Sequence, residues 1–143
     1  MREILFRAKL NYGNVGEWVI GLIAQPHVTE NGIVTSYYFT ELKENGISSQ
    51  KTVSADTVGQ YTGLTDKNGK KIFEGDICKD SLGVIFDVEW DETNGRFLGI
   101  AVNKKVSGNM FGNKVITYIA KEPRVEVIGN IHDNPELLKG GAE

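Results

Sequence analysis

The chain has 143 residues, a size at which one hydrophobic core, or two small ones, forms without metals or disulfides. Its 16 Lys and Arg against 19 Asp and Glu give a net charge of −3, which disfavours a general affinity for nucleic acid or anionic membranes. One cysteine, Cys78, and two histidines exclude an internal disulfide and are too few for a structural zinc site. We expect Cys78 to be a small buried side chain.

The N-terminal sequence MREILFRAKL carries charges that interrupt the apolar segment of a signal peptide. No later apolar run is long enough to span a bilayer. The sequence therefore predicts a soluble cytoplasmic protein.

The first half of the chain alternates in the period-two pattern of β-strands. Residues 3–10 form one alternating set, and Trp18, Ile20, Leu22 and Ala24 form a second after an Asn14–Gly16 turn, which predicts a hairpin over residues 3–25. Residues 34–40 predict another strand, residues 41–46 a loop, and residues 51–54 a short strand. Val58, Tyr61 and Leu64 have the spacing of a single helical turn.

The second half predicts a small barrel. Alternating or apolar runs joined by turns such as Asn94-Gly95 indicate strands at residues 84–90, 97–102, 114–120 and 124–131. Such short hairpin-connected strands favour a partly closed barrel of the SH3-like kind. Asp133 followed by Pro135 and Glu136 resembles a capping box that opens a short C-terminal helix.

The predicted fold class is therefore mainly β, α+β at most. It comprises an N-terminal β-rich subdomain over residues 1–72 and a barrel-like subdomain with a terminal helix over residues 73–143.

Three acidic features of the sequence are candidate chemical sites. Counted from Asp66, the glycine and glutamate of a calcium-binding EF-hand loop are absent, so we predict a hairpin tip with Asn68-Gly69 at positive φ and Asp66 bound to backbone amides. Glu74-Gly75-Asp76 is a tight turn or, alternatively, a carboxylate pair for catalysis or metal binding. His132-Asp133 is a helix cap rather than a base with its orienting carboxylate. We predict no catalytic, metal-binding or cofactor-binding residues and no cofactor.

Two features predict contact with partners. Lys67 and Lys70 form a basic tip that is close in sequence to Tyr61, a combination that suits phosphate contact or base stacking. The alternative, which so few lysines favour, is a solvated turn. Met110 and Phe111 lie at the centre of a glycine-flanked loop and are candidate anchors for another protein chain or a second copy. The alternative is that this pair folds back over an open end of the barrel.

Three segments resemble the YopX family of bacteriophage and prophage proteins: MREILFRA at residues 1–8, TVGQYTGLTDKNGKKIFEGDI at 57–77, and VEVIGNIHDNPELL at 125–138. The sequence departs from the family at Lys9-Leu10, where an aromatic residue and an acid are more usual. The resemblance implies a phage accessory protein with a mostly β fold, a barrel-like C-terminal part and no established activity. It also implies a role in folding or binding for Gly59, Gln60, Tyr61, Gly63, Asp66, Gly69, Gly75 and Asp76.

Three functions follow as hypotheses. The first is a non-enzymatic protein-interaction module that uses Tyr61, Met110 and Phe111 as apolar anchors, with Lys67 and Lys70 at the rim. The second is nucleic-acid association through the basic tip. The third is metal- or carboxylate-dependent chemistry at Glu74 and Asp76.

Overall fold

The computed structural model of the chain describes residues 3–46, 48–102, 114–117 and 124–139, with only the backbone described at residues 48, 102 and 114–117. The chain divides into two compact units, which we call unit 1 (Met1–Tyr61) and unit 2 (Thr62–Glu143). The boundary between the units lies inside a strand, whereas the sequence placed a subdomain boundary after residue 72.

Unit 1 is an antiparallel sheet with the strand order β4-β3-β2-β1-β5. Its strands are β1 Phe6–Lys9, β2 Trp18–Val28, β3 Val34–Leu42, β4 Ser48–Ser54 and the first part of β5 Gly59–Thr65. The predicted hairpin over residues 3–25 is confirmed, because Arg7 lies opposite Ile20 and Lys9 opposite Trp18. The helical spacing of Val58, Tyr61 and Leu64 was misleading, since a 3₁₀ turn ends at Thr57 and β5 follows it.

The core of unit 1 lies on one side of this sheet. It contains Ala8, Leu10, Val19, Phe39 and Val53, each at most 5% exposed. Beyond β1, Leu10 forms a bridge with Val53, and the amide of Asn11 donates to the carbonyl of Thr52 at 3.1 Å. The end of β1 therefore reaches β4 and covers part of the edge that β4 would otherwise expose.

Thr57 fixes the turn that leads from β4 to β5. Its hydroxyl donates to the Ser54 carbonyl at 2.8 Å and accepts from the Lys9 amide at 2.9 Å. Because both bonds involve the backbone, this one side chain ties the 3₁₀ turn to β1.

Unit 2 contains a five-stranded antiparallel sheet with the order β10-β9-β8-β7-β11. Its strands are β7 Asp76–Lys79, β8 Ile85–Asp91, β9 Arg96–Val102, β10 Lys114–Thr117 and β11 Glu126–Asn130, and β6 Lys71–Phe73 lies next to β5. The mainly β class is confirmed, but the predicted SH3-like barrel is not. Closure requires the two edge strands to pair, and across the described ranges β10 and β11 remain at opposite edges because β11 pairs with β7.

The core of unit 2 is separate from that of unit 1. Its buried members are Ile72, Cys78, Phe86, Val88, Ala101 and Val125. Cys78 is fully buried, as expected from the sequence. The Trp90 ring packs edge-on against Phe97 with ring centroids 4.8 Å apart, so this aromatic pair extends the apolar side of the β8-β9 hairpin.

The predicted C-terminal helix exists as one turn, α1, Glu136–Lys139. The segment before it is held mainly by Asn130, whose side-chain oxygen accepts from the amides of His132 and Asp133 at 3.0 and 2.9 Å. The Asp133 carboxylate accepts from the Asn130 side chain at 3.1 Å, which stabilises the turn before the helix. No helix in the described part of the chain is long and apolar enough to cross a membrane.

Gly21 provides a test of strand packing in unit 1. A Cβ atom at this position would overlap the backbone carbonyl of Thr40 on β3. We expect Gly21→Ala to lower the free energy of unfolding by about 2–4 kcal/mol, since the strands must separate to admit the methyl group. Urea unfolding followed by circular dichroism measures this loss.

The control is Gly13→Ala, because Gly13 has φ +77° and open space around its Cβ position. Its expected loss is only about 1–2 kcal/mol, the cost of a left-handed conformation. Equal losses in the two variants would contradict the packing argument.

Candidate functional site

The Asp66 carboxylate accepts hydrogen bonds from three backbone amides. One carboxylate oxygen accepts from the amides of Asn68 and Lys70, both at 2.9 Å, and the other accepts from the Val127 amide at 3.0 Å. Gly69 has φ +83°, and among the described residues positive φ occurs only at glycines, so the predicted positive φ of Asn68 is wrong. The prediction that Asp66 binds backbone amides is correct.

These hydrogen bonds lower the pKa of the Asp66 carboxyl. Burial raises the pKa of this carboxyl, but the amides of Val127, Lys70 and Asn68 and the charge of Lys70 outweigh burial. The net result is a pKa below the ordinary value of an aspartate. Asp66 is therefore an ionised structural group that joins the β5-β6 turn to β11.

Asp76 also serves the backbone. It is 1% exposed, and one of its carboxylate oxygens accepts from the Phe73 amide at 2.8 Å. Gly75 between Glu74 and Asp76 has φ +90°, and its amide donates to the Val88 carbonyl at 2.9 Å. The tight-turn interpretation of this segment is correct.

Metal ligation was the other hypothesis for these acids. Searching the described ranges finds no group of three or more His, Cys, Asp or Glu side chains placed to hold a metal ion. His132 and Asp133, weighed as a base and its orienting carboxylate, both donate their amides to Asn130. The histidine side chain is half-buried in that turn.

The five residues predicted for interaction fall into three groups. Tyr61 is only 6% exposed, so its ring contributes little to the surface. Lys67 and Lys70 are exposed on the β5-β6 turn, and Lys67 Nζ lies 3.5 Å from Glu126 Oε1. Met110 and Phe111 lie outside the described residues, and their role stays a prediction.

A surface that the sequence did not predict lies on unit 1, on the side of the sheet opposite the core. We call it the apolar face, and it consists of Trp18, Ile20, Leu22, Tyr38 and Leu42. The last four are 38–44% exposed. Trp18, Ile20 and Leu22 alternate along β2, and Leu22 lies opposite Thr40, which separates Tyr38 from Leu42 along β3.

Trp18 is held between two cations of the neighbouring strand. The Arg7 guanidinium carbon lies 4.8 Å from the centre of the indole, and Lys9 Nζ lies 5.3 Å from it. These contacts are attractive because a cation interacts with the negative face of an aromatic ring. They fix the indole and give the β1 side of the apolar face a positive rim.

Part of the apolar face forms a shallow depression of about 590 Å³. Trp18, Ile20 and Leu42 supply its apolar lining, and residues 43–45 of the β3-β4 turn form its polar edge. Ile20 and Leu42 therefore contribute to one continuous concave surface.

The sequence did not decide which side of β2 faces the core. It grouped Trp18, Ile20, Leu22 and Ala24 as one alternating set, whereas the structure buries Val19 and Gly21 and exposes Ile20, Leu22 and Ala24. Both sides of β2 are apolar, and a change of one residue in register exchanges them. Gly21 could have indicated the buried side of β2, because a glycine between two apolar residues marks a close approach of another backbone.

Over the residues that the structure describes, the protein is mainly β, with two antiparallel sheets and one turn of α-helix. The sequence profile described as "YopX protein" matches residues 6–139, nearly the whole chain. The chain therefore belongs to the YopX family.

A solved structure is similar over almost its full length. It is the crystal structure of protein EF1440 from Enterococcus faecalis, which is 25% identical, with a TM-score of 0.51 over 96% of this chain and 99% of that chain. A comparison with curated proteins finds no match.

Asp66 generates a pH-dependent prediction. Replacing it by Asn removes the charge that accepts three amides, so we expect Asp66→Asn to lose about 1–3 kcal/mol of unfolding free energy at pH 7. Because the pKa is lowered in the folded state, the contribution of Asp66 is complete above the unfolded pKa of about 3.9 and is lost as the pH falls through the folded pKa. Urea unfolding from pH 7 towards pH 2 should show the two curves converging.

Asp91 is the matched control. The side-chain amide of Asn94 is the main cause of its lowered pKa, but Asp91 lies on an exposed hairpin turn. At pH 7, Asp91→Asn should change the free energy of unfolding much less than Asp66→Asn. A pH-independent gap between wild type and Asp66→Asn would contradict an ionised Asp66.

Proposed function

We propose that the protein is a phage-encoded, non-enzymatic binding module whose apolar face docks onto a host or phage protein in the bacterial cytoplasm. The proposal commits to a partner that presents apolar side chains flanked by carboxylates. The observation that carries it is the apolar face itself, where five large apolar side chains lie together on two neighbouring strands.

The apolar face differs from scattered exposed apolar residues because its side chains are contiguous. Single exposed apolar side chains are normal on a soluble protein, whereas a patch on adjacent strands with a polar border is typical of a contact site. Tyr12 and Val15 are more exposed than any member of the apolar face, but they lie in the β1-β2 turn. The face also contains a tryptophan and a tyrosine, and aromatic anchors dominate the energy of protein interfaces.

Charge gives the expected chemistry of the partner. Arg7 and Lys9 lie beside Trp18, so they would pair with carboxylates as the partner covers the indole. The chain as a whole has a net charge of −3, which makes this positive rim a local feature. Complementary charge of this kind raises the rate of association and selects the partner's orientation.

The hydrogen bonds of two carboxylates favour binding over catalysis. The carboxylates of Asp66 and Asp76, the best-placed acids of the sequence motifs, accept backbone amides within their own turns. Such carboxylates maintain backbone geometry, whereas a general acid or base needs access to a substrate.

The phage context rests on the family, whose members are typical of bacteriophages and prophages.

The apolar face predicts a specific loss of binding. Ile20→Ser combined with Leu22→Ser should weaken capture of the partner at least about 30-fold, the loss expected for central anchors of an interface. Both side chains are already 40–41% exposed, so the fold should tolerate the change. The measurement is quantitative mass spectrometry of proteins captured from infected-cell lysate, followed by titration of the purified candidate.

Tyr12→Ser combined with Val15→Ser is the control, because it removes apolar groups that are even more exposed, at 82% and 72%, from the β1-β2 turn. The proposal requires one protein that binds wild type and this control but not the Ile20/Leu22 variant, with binding weakened by salt. Loss of binding in both double variants would contradict it. A wild-type dimer on a sizing column that only the Ile20/Leu22 variant dissociates would instead identify a second copy as the occupant.

A further inference from the structure

Three cations of unit 2 line one recess beside the start of β11. We call it the basic recess. Its volume is about 540 Å³, and its lining contains Lys67, Lys79 and Arg124 together with Asp80, Glu126 and the loop residues Ser81, Leu82 and Gly83. Three cations against two carboxylates give the lining a formal charge of +1 in a chain whose net charge is −3.

The backbone brings these cations together from three separate segments. Lys79 ends β7 and lies directly opposite Glu126 in the β7-β11 ladder. On the other side of β11, the Lys67 amide donates to the Val125 carbonyl at 2.9 Å. Glu126 therefore lies between two lysines, and Lys67 Nζ is 3.5 Å from its carboxylate.

The loop that completes the recess is held in shape by Asp80. One oxygen of its carboxylate accepts from the amides of Leu82 and Val84, both at 2.9 Å, and the Asp80 amide donates to the Val84 carbonyl at 3.0 Å. Gly83 closes the turn with φ +85°. These amides occupy one oxygen of the Asp80 carboxylate and fix the loop, while the three cations still leave the lining with a formal charge of +1.

We propose that the basic recess binds a phosphate group. Arg124 supplies a planar fork of N–H donors, the two lysines supply mobile ammonium groups, and the Ser81 hydroxyl adds a neutral donor. A tetrahedral dianion offers oxygens in several directions, which suits cations that arrive from three segments better than a planar carboxylate does. This site is independent of the apolar face and of the proposed function.

The Glu126 carboxylate competes with a bound anion in the basic recess. It already contacts Lys67 Nζ at 3.5 Å, and the Glu126 backbone lies opposite Lys79, so the carboxylate competes with an incoming anion for Lys67. Binding therefore requires Lys67 to exchange this carboxylate for phosphate, and the exposed pair, with side chains 49% and 36% accessible, makes that exchange inexpensive. A purely structural ion pair predicts no effect of Glu126 on anion affinity.

The test is titration of the full-length protein with inorganic phosphate, monitored by amide chemical shifts and compared with sodium chloride at equal ionic strength. We expect saturable shifts at residues 79–84 and 124–127. Lys79→Gln and Arg124→Gln should each weaken phosphate binding about fivefold, the factor expected from one exposed charge contact. Glu126→Gln should tighten it about threefold, because like-charge repulsion is removed.

Lys139→Gln is the control, since Lys139 is an exposed lysine on α1 that does not line the basic recess. Shifts that sodium chloride reproduces, or equal weakening by Lys139→Gln, would overturn the proposal. Weakening by Glu126→Gln would also overturn it, because a competitor carboxylate predicts the opposite sign.

A second arm identifies the source of the phosphate. An oligothymidine without terminal phosphates presents only phosphodiesters, and its binding should fall with salt at a slope of about −0.7 per phosphate contacted. Tighter binding of this probe than of inorganic phosphate, lost in Arg124→Gln, would assign a nucleic-acid backbone. The reverse order of affinity would assign a free or terminal phosphate group.

Discussion

The contact of Asp66 with the Val127 amide is the interaction on which the arrangement of unit 2 depends. It joins residues far apart in sequence, and the adjacent bond from the Lys67 amide to the Val125 carbonyl places the β5-β6 turn along β11. A single carboxylate therefore shapes the turn and attaches it to a strand. Lys67 lines the basic recess because these bonds hold the β5-β6 turn against β11. The structural role of Asp66 and the proposed phosphate contact of Lys67 therefore depend on the same bonds.

The two proposed surfaces differ in how they use charge. On the apolar face, Arg7 and Lys9 flank Trp18 and would select among partners that already bury apolar area. In the basic recess, charge is the main source of affinity and Glu126 limits it. Binding at the first surface should tolerate salt better than binding at the second, because burial of apolar area is not screened.

Much of the fold could be predicted from the sequence because alternation and turn residues are local signals. The β1-β2 hairpin, the roles of Asp66 and Asp76 in their turns, and buried Cys78 all follow from neighbouring residues. The predicted SH3-like barrel is not confirmed, and the reason is nonlocal, since the pairing of β11 with β7 is not encoded in any single strand. The apolar face was missed because β2 is apolar on both sides, so periodicity left its orientation undecided.

The sequence by itself determined the family, the mainly β class and the positions of most turns, because these depend on residue types at fixed short spacings. Only the tertiary structure decided which side of β2 faces solvent and which distant cations share a recess. Gly21 admits the Thr40 backbone and so sets the side of β2 that is buried. Lys67, Lys79 and Arg124 meet because strand pairing brings three segments together, a result that no local pattern contains.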